Sequence, residues 1–271
     1  MTIERLRLTQ TLGAITVGVW ASLLLSESAI ALGIVPQESE SAPLCQVSAK
    51  PIASDLHPVE QVARSTTVRI IAGRTAGSGV VIARSGNTYT AITNWHVLSY
   101  GRPEILTPDR QRHALLGNAI QIDRADLAVV RFQSSQSYTV ATIATEPVME
   151  GDVVYASGFP MYGRSGTTLN AGVDGLQFTA GRVSLLLDRS LSDGYRLGYT
   201  NAIEVGMSGG PIFNAEGKLV GINGRTAGRD PGFGAYVYQD GTAPPNELLN
   251  LMIASSWGIP ISVETLARYP N

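Results

Sequence analysis

Apolar, β-branched runs only four to six residues long, separated by Gly, Asn or Asp, recur along most of this chain. They lie at 67–72, 79–83, 127–132, 153–156, 176–179 and 234–238. Runs of that length bounded by turn residues read as strands and are too short for helices of several turns. Many such strands in one chain of 271 residues imply an all-β fold, a barrel or a sandwich. The single cysteine, Cys45, excludes an internal disulfide, so the core alone must hold the fold. Roughly 240 residues beyond an N-terminal leader are enough for a sizeable core. A helix is expected after Pro244 and Pro245, with Asn246 as its N-cap.

The stretch Gly206-Met207-Ser208-Gly209-Gly210-Pro211 carries the first chemical signal. A serine hydroxyl is a weak nucleophile and needs a base to take its proton. It also needs small neighbours, so that a carbonyl can approach and backbone N–H groups can face the developing oxyanion. The same stretch also fits a glycine-rich turn between strands.

The order of possible partners separates the alternatives. Gly206 to Gly210 fits the nucleophile elbow of α/β-hydrolases, whose acid and histidine follow the serine. The three histidines here, His57, His96 and His113, all precede Ser208, which excludes that reading. An acid-before-histidine order would need Asp55, which stands in a linker-like stretch. A serine–lysine pair would need Lys50 or Lys218, the first in the same linker and the second in a hairpin turn. The order His, Asp, Ser survives. His96 follows Thr93-Asn94-Trp95, where a strand gives way to a turn or short helix, and Asp126 stands at the mouth of a buried strand. Asp123 is the nearby competitor and has no apolar run directly behind it.

With Gly77-Ser78-Gly79-Val80-Val81-Ile82, Thr93 to Val97, Asp126 to Val130, Thr200 to Ile203 and Leu219 to Asn223, these blocks make the chain resemble the trypsin-like (chymotrypsin-clan) serine peptidases of the bacterial HtrA/Deg style. The resemblance runs from about Val68 to Tyr238. It implies two six-stranded antiparallel β-barrels, at 66–145 and 146–243, with the active site in the cleft between them and a C-terminal helix and tail at 244–271. It implies Ser208 as nucleophile, His96 as general base and then acid, and Asp126 as the group orienting the imidazole. Gly206 and Ser208 would supply the oxyanion N–H groups. Asn201, Ala202 and Ile203 would lie at the base of the specificity pocket, and Asn223, Gly224 and Arg225 would pair with the substrate backbone as an added strand.

Two departures from the animal trypsins stand out. Met207 replaces the aspartate that pairs with a freed N-terminus, so activation of that kind is not expected. No acid stands among Asn201, Ala202 and Ile203, which argues against Arg or Lys before the scissile bond and for a small or medium apolar side chain. Glu204 is near enough to matter if it turns inward. The loops at 162–174 and 188–195 are candidates for gating the cleft.

Residues 1–31 read as a secretory signal, with Arg5 and Arg7, an apolar segment from Leu12 to Leu25, and Ala29-Ile30-Ala31 as a cleavage site. The apolar run falls short of the about 20 residues of a comfortable membrane span, so no stable span is expected after cleavage, with retention as an anchor the alternative. Residues 32–65 read as a linker. An exported, periplasmic, lumenal or extracellular setting is expected, and no PDZ domain is expected within the tail. A net charge of −2 offers no electrostatic case for nucleic acid. The sequence suggests no metal site and no cofactor. The expected partner is a peptide or unfolded protein, cleaved through an acyl-enzyme or, in the alternative reading, bound by a catalytically silent relative.

Overall fold

The computed structural model describes residues 57–162 and 172–269. The signal segment, residues 32–56 of the linker and the middle of the 162–174 loop lie outside those residues. The described chain begins with helix α1 (Pro58–Thr66), where the sequence suggests a linker up to residue 65. His57 Nδ1 accepts the Val59 N–H as a cap, and proline sits in the first turn. The helix forms because Val59 and Ala63, four apart, bury one face in the core with Phe213 and Leu219. Val62 packs beside them, so the apolar residues fall at i, i+3 and i+4, a helical spacing confined to a single short helix.

Seven strands build the first half: β1 (Thr67–Ala72), β2 (Thr75–Ser85), β3 (Thr88–Thr93), β4 (Pro103–Leu106), β5 (Arg112–Ala114), β6 (Ile120–Gln121) and β7 (Ala128–Gln133). They form one antiparallel sheet in the order β5-β4-β1-β2-β3-β7-β6. This half-barrel has one strand more than expected, and its outer strands β5 and β6 do not pair with each other. The second half is a closed six-stranded barrel of β8 (Val153–Gly158), β9 (Gln177–Leu186), β10 (Leu197–Tyr199), β11 (Pro211–Phe213), β12 (Leu219–Arg225) and β13 (Ser256–Pro260), in the order β10-β13-β12-β11-β8-β9. The two-barrel, all-β expectation therefore holds.

Two boundaries differ from the expectation. Strand β13 follows helix α2 (Asn246–Ala254) and closes the barrel between β10 and β12. The chain after residue 243 is thus part of the barrel and ends in a short helix α3 (Val263–Ala267). Asn246 is the first residue of α2; Pro245 holds the cap position and makes no side-chain cap bond. The run at 234–238 is no strand. Tyr236 and Tyr238 bury their rings there, while the Tyr238 N–H turns back to the Thr242 carbonyl. Burial and a single isolated bridge from Tyr238 to Leu191 stand behind that strand-like pattern.

Strand register places the chemistry. β3 and β7 pair from Thr88↔Gln133 to Thr93↔Ala128. The chain leaving β3 and the chain entering β7 therefore emerge at the same sheet edge, which carries His96 and Asp126 together. In the second barrel Pro211 pairs with Ile222, so the residues just before β11 face the end of β12. Continued outward, that register brings Gly209 level with Gly224, and Ser208 beside it reaches the Gly224 carbonyl with its hydroxyl.

Candidate active site

His96 opens a one-turn 3-10 helix, His96–Leu98, in keeping with its position at a strand end. Its backbone N–H donates to Asp126 Oδ1 at 2.8 Å, and its Nδ1 lies 2.6 Å from Asp126 Oδ2. The carboxylate therefore grips the histidine at two points and fixes the ring's rotation. It also sets the tautomer, because an Nδ1–H that faces a carboxylate leaves Nε2 as the basic nitrogen. Asn94 steadies the aspartate from behind, its Nδ2 donating to the Asp126 carbonyl at 2.7 Å. Burial pushes the Asp126 carboxyl up, but hydrogen bonds and charge from His96, with the Tyr195 hydroxyl, outweigh it and hold the pKa below the usual carboxylate value. Asp126 is thus an anion in the folded protein. Asp123, the competing acid, is instead held on the surface by Arg268 at 2.6 Å.

Ser208 stands across the cleft. Its Oγ donates to the Gly224 carbonyl at 3.2 Å, and among the described residues it makes no hydrogen bond to His96. Gly224, His96 and Asp126 line one cleft of about 410 Å³, together with Trp95, Tyr100 and Tyr195. A Cβ on Gly224 would collide with the Tyr195 hydroxyl and approach Asn94 Oδ1 to 2.8 Å, so only glycine lets the β12 backbone come this close to Tyr195 and Asn94.

The loop ahead of the serine is held by its carbonyls. Met161 donates its N–H to the Val205 carbonyl at 2.7 Å, and Asn223 Nδ2 donates to the Met207 carbonyl at 2.7 Å. In a planar trans peptide the N–H points opposite the C=O. The N–H groups of Gly206 and Ser208, which share those two peptides, are therefore turned away from Met161 and Asn223. Among the described residues neither donates a hydrogen bond. Two unpaired donors of this kind beside a serine hydroxyl can receive a negatively charged oxygen. Ser78 bolts the loop to the first half: its N–H donates to the Ser208 carbonyl at 2.8 Å and its Oγ to the Gly206 carbonyl at 2.9 Å.

The remaining substrate-site candidates fall in different places. Asn201 is buried, and its Nδ2 donates to the Thr179 carbonyl at 2.8 Å, tying the barrel wall. Ala202 is exposed and Ile203 half-buried. Glu204 is exposed and accepts from Gln177 Nε2 at 2.7 Å. Asn223 is fully buried and serves the serine loop. Arg225 turns inward at the wall of the cleft that holds His96 and Asp126. It is 8% exposed, stacks on Tyr195 with its guanidinium carbon 4.1 Å from the ring centre, and bonds to the carbonyls of Ala235 and Ser192 and to Asp193. Met207 is fully buried, with Sδ 3.4 Å from the Glu204 N. No cluster of residues suited to a metal occurs among the described residues.

Asn94, Ser78 and Tyr195 take part without a role that the sequence announces. Ser78 lies in one of the blocks that carry the family resemblance and Tyr195 ends the segment considered as a gate, but the sequence assigns neither side chain a task.

Residues 77–222 match the family model of the trypsin-like peptidase domain. The chain belongs to that family. It is 29% identical over 150 residues to the serine protease Do-like HtrA of Lactococcus lactis, covering 54% of this chain and 36% of that protein. It is 31% identical over 178 residues to a protein of Ectopseudomonas mendocina named "Probable periplasmic serine endoprotease DegP-like", covering 65% of this chain and 34% of that one. The chain thus spans about a third of the length of these relatives. Among solved structures, an inactive serine-to-alanine form of Rv3671c from M. tuberculosis superposes with a TM-score of 0.54 at 17% identity, over 79% of this chain and 88% of that one, a likeness of fold.

Proposed function

We propose that this protein is an exported serine endopeptidase that cleaves peptide or unfolded-protein substrates through an acyl-enzyme. What carries the reading is the two-point grip of Asp126 on His96, at 2.8 and 2.6 Å, in a cleft walled by Gly224, whose carbonyl holds Ser208 Oγ. Ser208 Oγ swings from the Gly224 carbonyl to attack the scissile carbonyl while His96 Nε2 takes its proton. The carbonyl oxygen, now an oxyanion, is held by the N–H groups of Gly206 and Ser208. His96 then gives the proton to the leaving amine, and water repeats the sequence to free the acid. Asp126 stays ionised throughout and steadies the imidazolium. Export is supported by the N-terminal signal pattern and by relatives named as periplasmic.

A fluorophosphonate probe tests the reaction without a known substrate. The native protein is expected to label at Ser208, with labelling lost in Ser208→Ala and reduced by several orders of magnitude in His96→Ala. A folded native protein that does not label points instead to a silent, peptide-binding relative.

Specificity is expected to favour small or medium apolar residues before the scissile bond. No acid stands among the pocket-base residues, and Glu204 is paired with Gln177. A peptide library cleaved mainly after Arg or Lys contradicts this.

A further inference from the structure

The segment 188–195, a candidate gating loop by sequence, does something else. It crosses from the second barrel to the first and closes on Asp126. The Asp126 N–H donates to the Asp193 carbonyl at 2.8 Å, and the Tyr195 hydroxyl donates to Asp126 Oδ2 at 2.5 Å. That oxygen is the same one that faces His96 Nδ1 at 2.6 Å. Two donors therefore divide the charge of one carboxylate oxygen.

We propose that Tyr195 is a positioning residue of the triad, its hydroxyl setting both the direction of the Asp126 carboxylate and the share of negative charge Oδ2 offers to His96. This rests on the triad reading above. The ring cannot drift, because Arg225 covers one face at 4.1 Å and is itself bound to Ala235, Ser192 and Asp193. Tyr195 is 1% exposed. Burial, and then the Asp126 charge, push its pKa well above the ordinary tyrosine value, so the hydroxyl keeps its proton and remains a donor. Arg225 thus acts through Tyr195 and Tyr195 through Asp126. The charged and titratable groups facing the pair are His96 and Tyr100 from the first half, and Asp193, Arg225 and Arg229 from the second.

The hydroxyl has an effect of definite sign. Without it, Oδ2 keeps more charge for the imidazolium, which then holds its proton to higher pH, while the carboxylate loses one of its fixed points. In Tyr195→Phe the acidic limb of the fluorophosphonate labelling rate is therefore expected to move upward by roughly half a pH unit. The plateau rate should fall about 10-fold from poorer alignment.

Site-specific fluorotyrosine at 195 keeps the ring and the hydroxyl but makes a stronger donor, and should move the limb downward. A purely structural role shifts the melting temperature and leaves both midpoints in place. Profiles of the two variants that superimpose on the native one overturn the proposal. If Tyr195→Phe does not fold, the fluorotyrosine protein decides alone, an unmoved limb being the overturning result. A native protein that never labels marks failure of the peptidase reading instead, which keeps the two outcomes apart.

Discussion

Asp126→Asn is expected to lower kcat/KM by about ten-thousand-fold while the protein stays folded. The carboxylate here receives only donors: the His96 N–H on Oδ1, and His96 Nδ1 and the Tyr195 hydroxyl on Oδ2. An asparagine has one accepting oxygen and one donating NH2 group. With the NH2 in the Oδ2 position, His96 can be satisfied only if Nδ1 accepts. The proton then sits on Nε2, and the imidazole cannot take one from Ser208. With the amide reversed, the NH2 meets the His96 backbone N–H, donor against donor, and the turn that carries the histidine is pushed away. Either arrangement removes the base. Kinetics on a cleaved peptide, with the melting temperature as a check on folding, measure the effect. Activity within about 10-fold of the native enzyme would show that Asp126 does not set the tautomer of His96, since a base held in the wrong tautomer loses far more than that.

How far the site can be read in advance depends on where each residue stands. His96 and Asp126 lie just outside strands whose apolar pattern is plain, so their pairing follows from two adjacent strand ends. Ser208 announces itself through the glycines that give it room. Most strands are legible for the same reason: a buried run flanked by turn residues has few other readings. What escapes notice is held by tertiary contacts with no local period. Tyr195 follows Asp193, a non-glycine residue at φ +65°, in an irregular segment whose shape is set by the aspartate it clasps. Strand β13 looks like tail because helix α2 separates it from the other strands, and only barrel closure explains it. Arg225 reads in sequence as part of the substrate strand. The bulge between Asn223 and Arg225 turns its side chain under Tyr195, and a β-bulge of that kind leaves no mark in composition.

Gly206→Ala is the second large effect, and it tests the other half of the chemistry. The residue has φ +99°, a region in which a non-glycine residue costs on the order of 1–3 kcal/mol. Space is as restrictive as the dihedral. A Cβ there would overlap the Met161 N and come within 2.7 Å of the Phe159 carbonyl oxygen, both of them backbone atoms that cannot swing aside. Relief requires the loop to lift from Met161, breaking the 2.7 Å bond from the Met161 N–H to the Val205 carbonyl. That bond is what turns the Gly206 N–H the other way. Once it is lost the Val205–Gly206 peptide is free to rotate, and an oxyanion forming at Ser208 faces one fixed donor instead of two. The expected result is a fall in kcat of about 10²–10³ with KM changed far less, because the donor serves charge that exists only in the transition state. The pH profile should keep its native midpoint, since Asp126, Tyr195 and His96 are untouched. That separates this loss from a defect in the base. A Gly206→Ala protein with native kcat would place the oxyanion donors elsewhere, and a rise in KM alone would assign this loop to substrate binding.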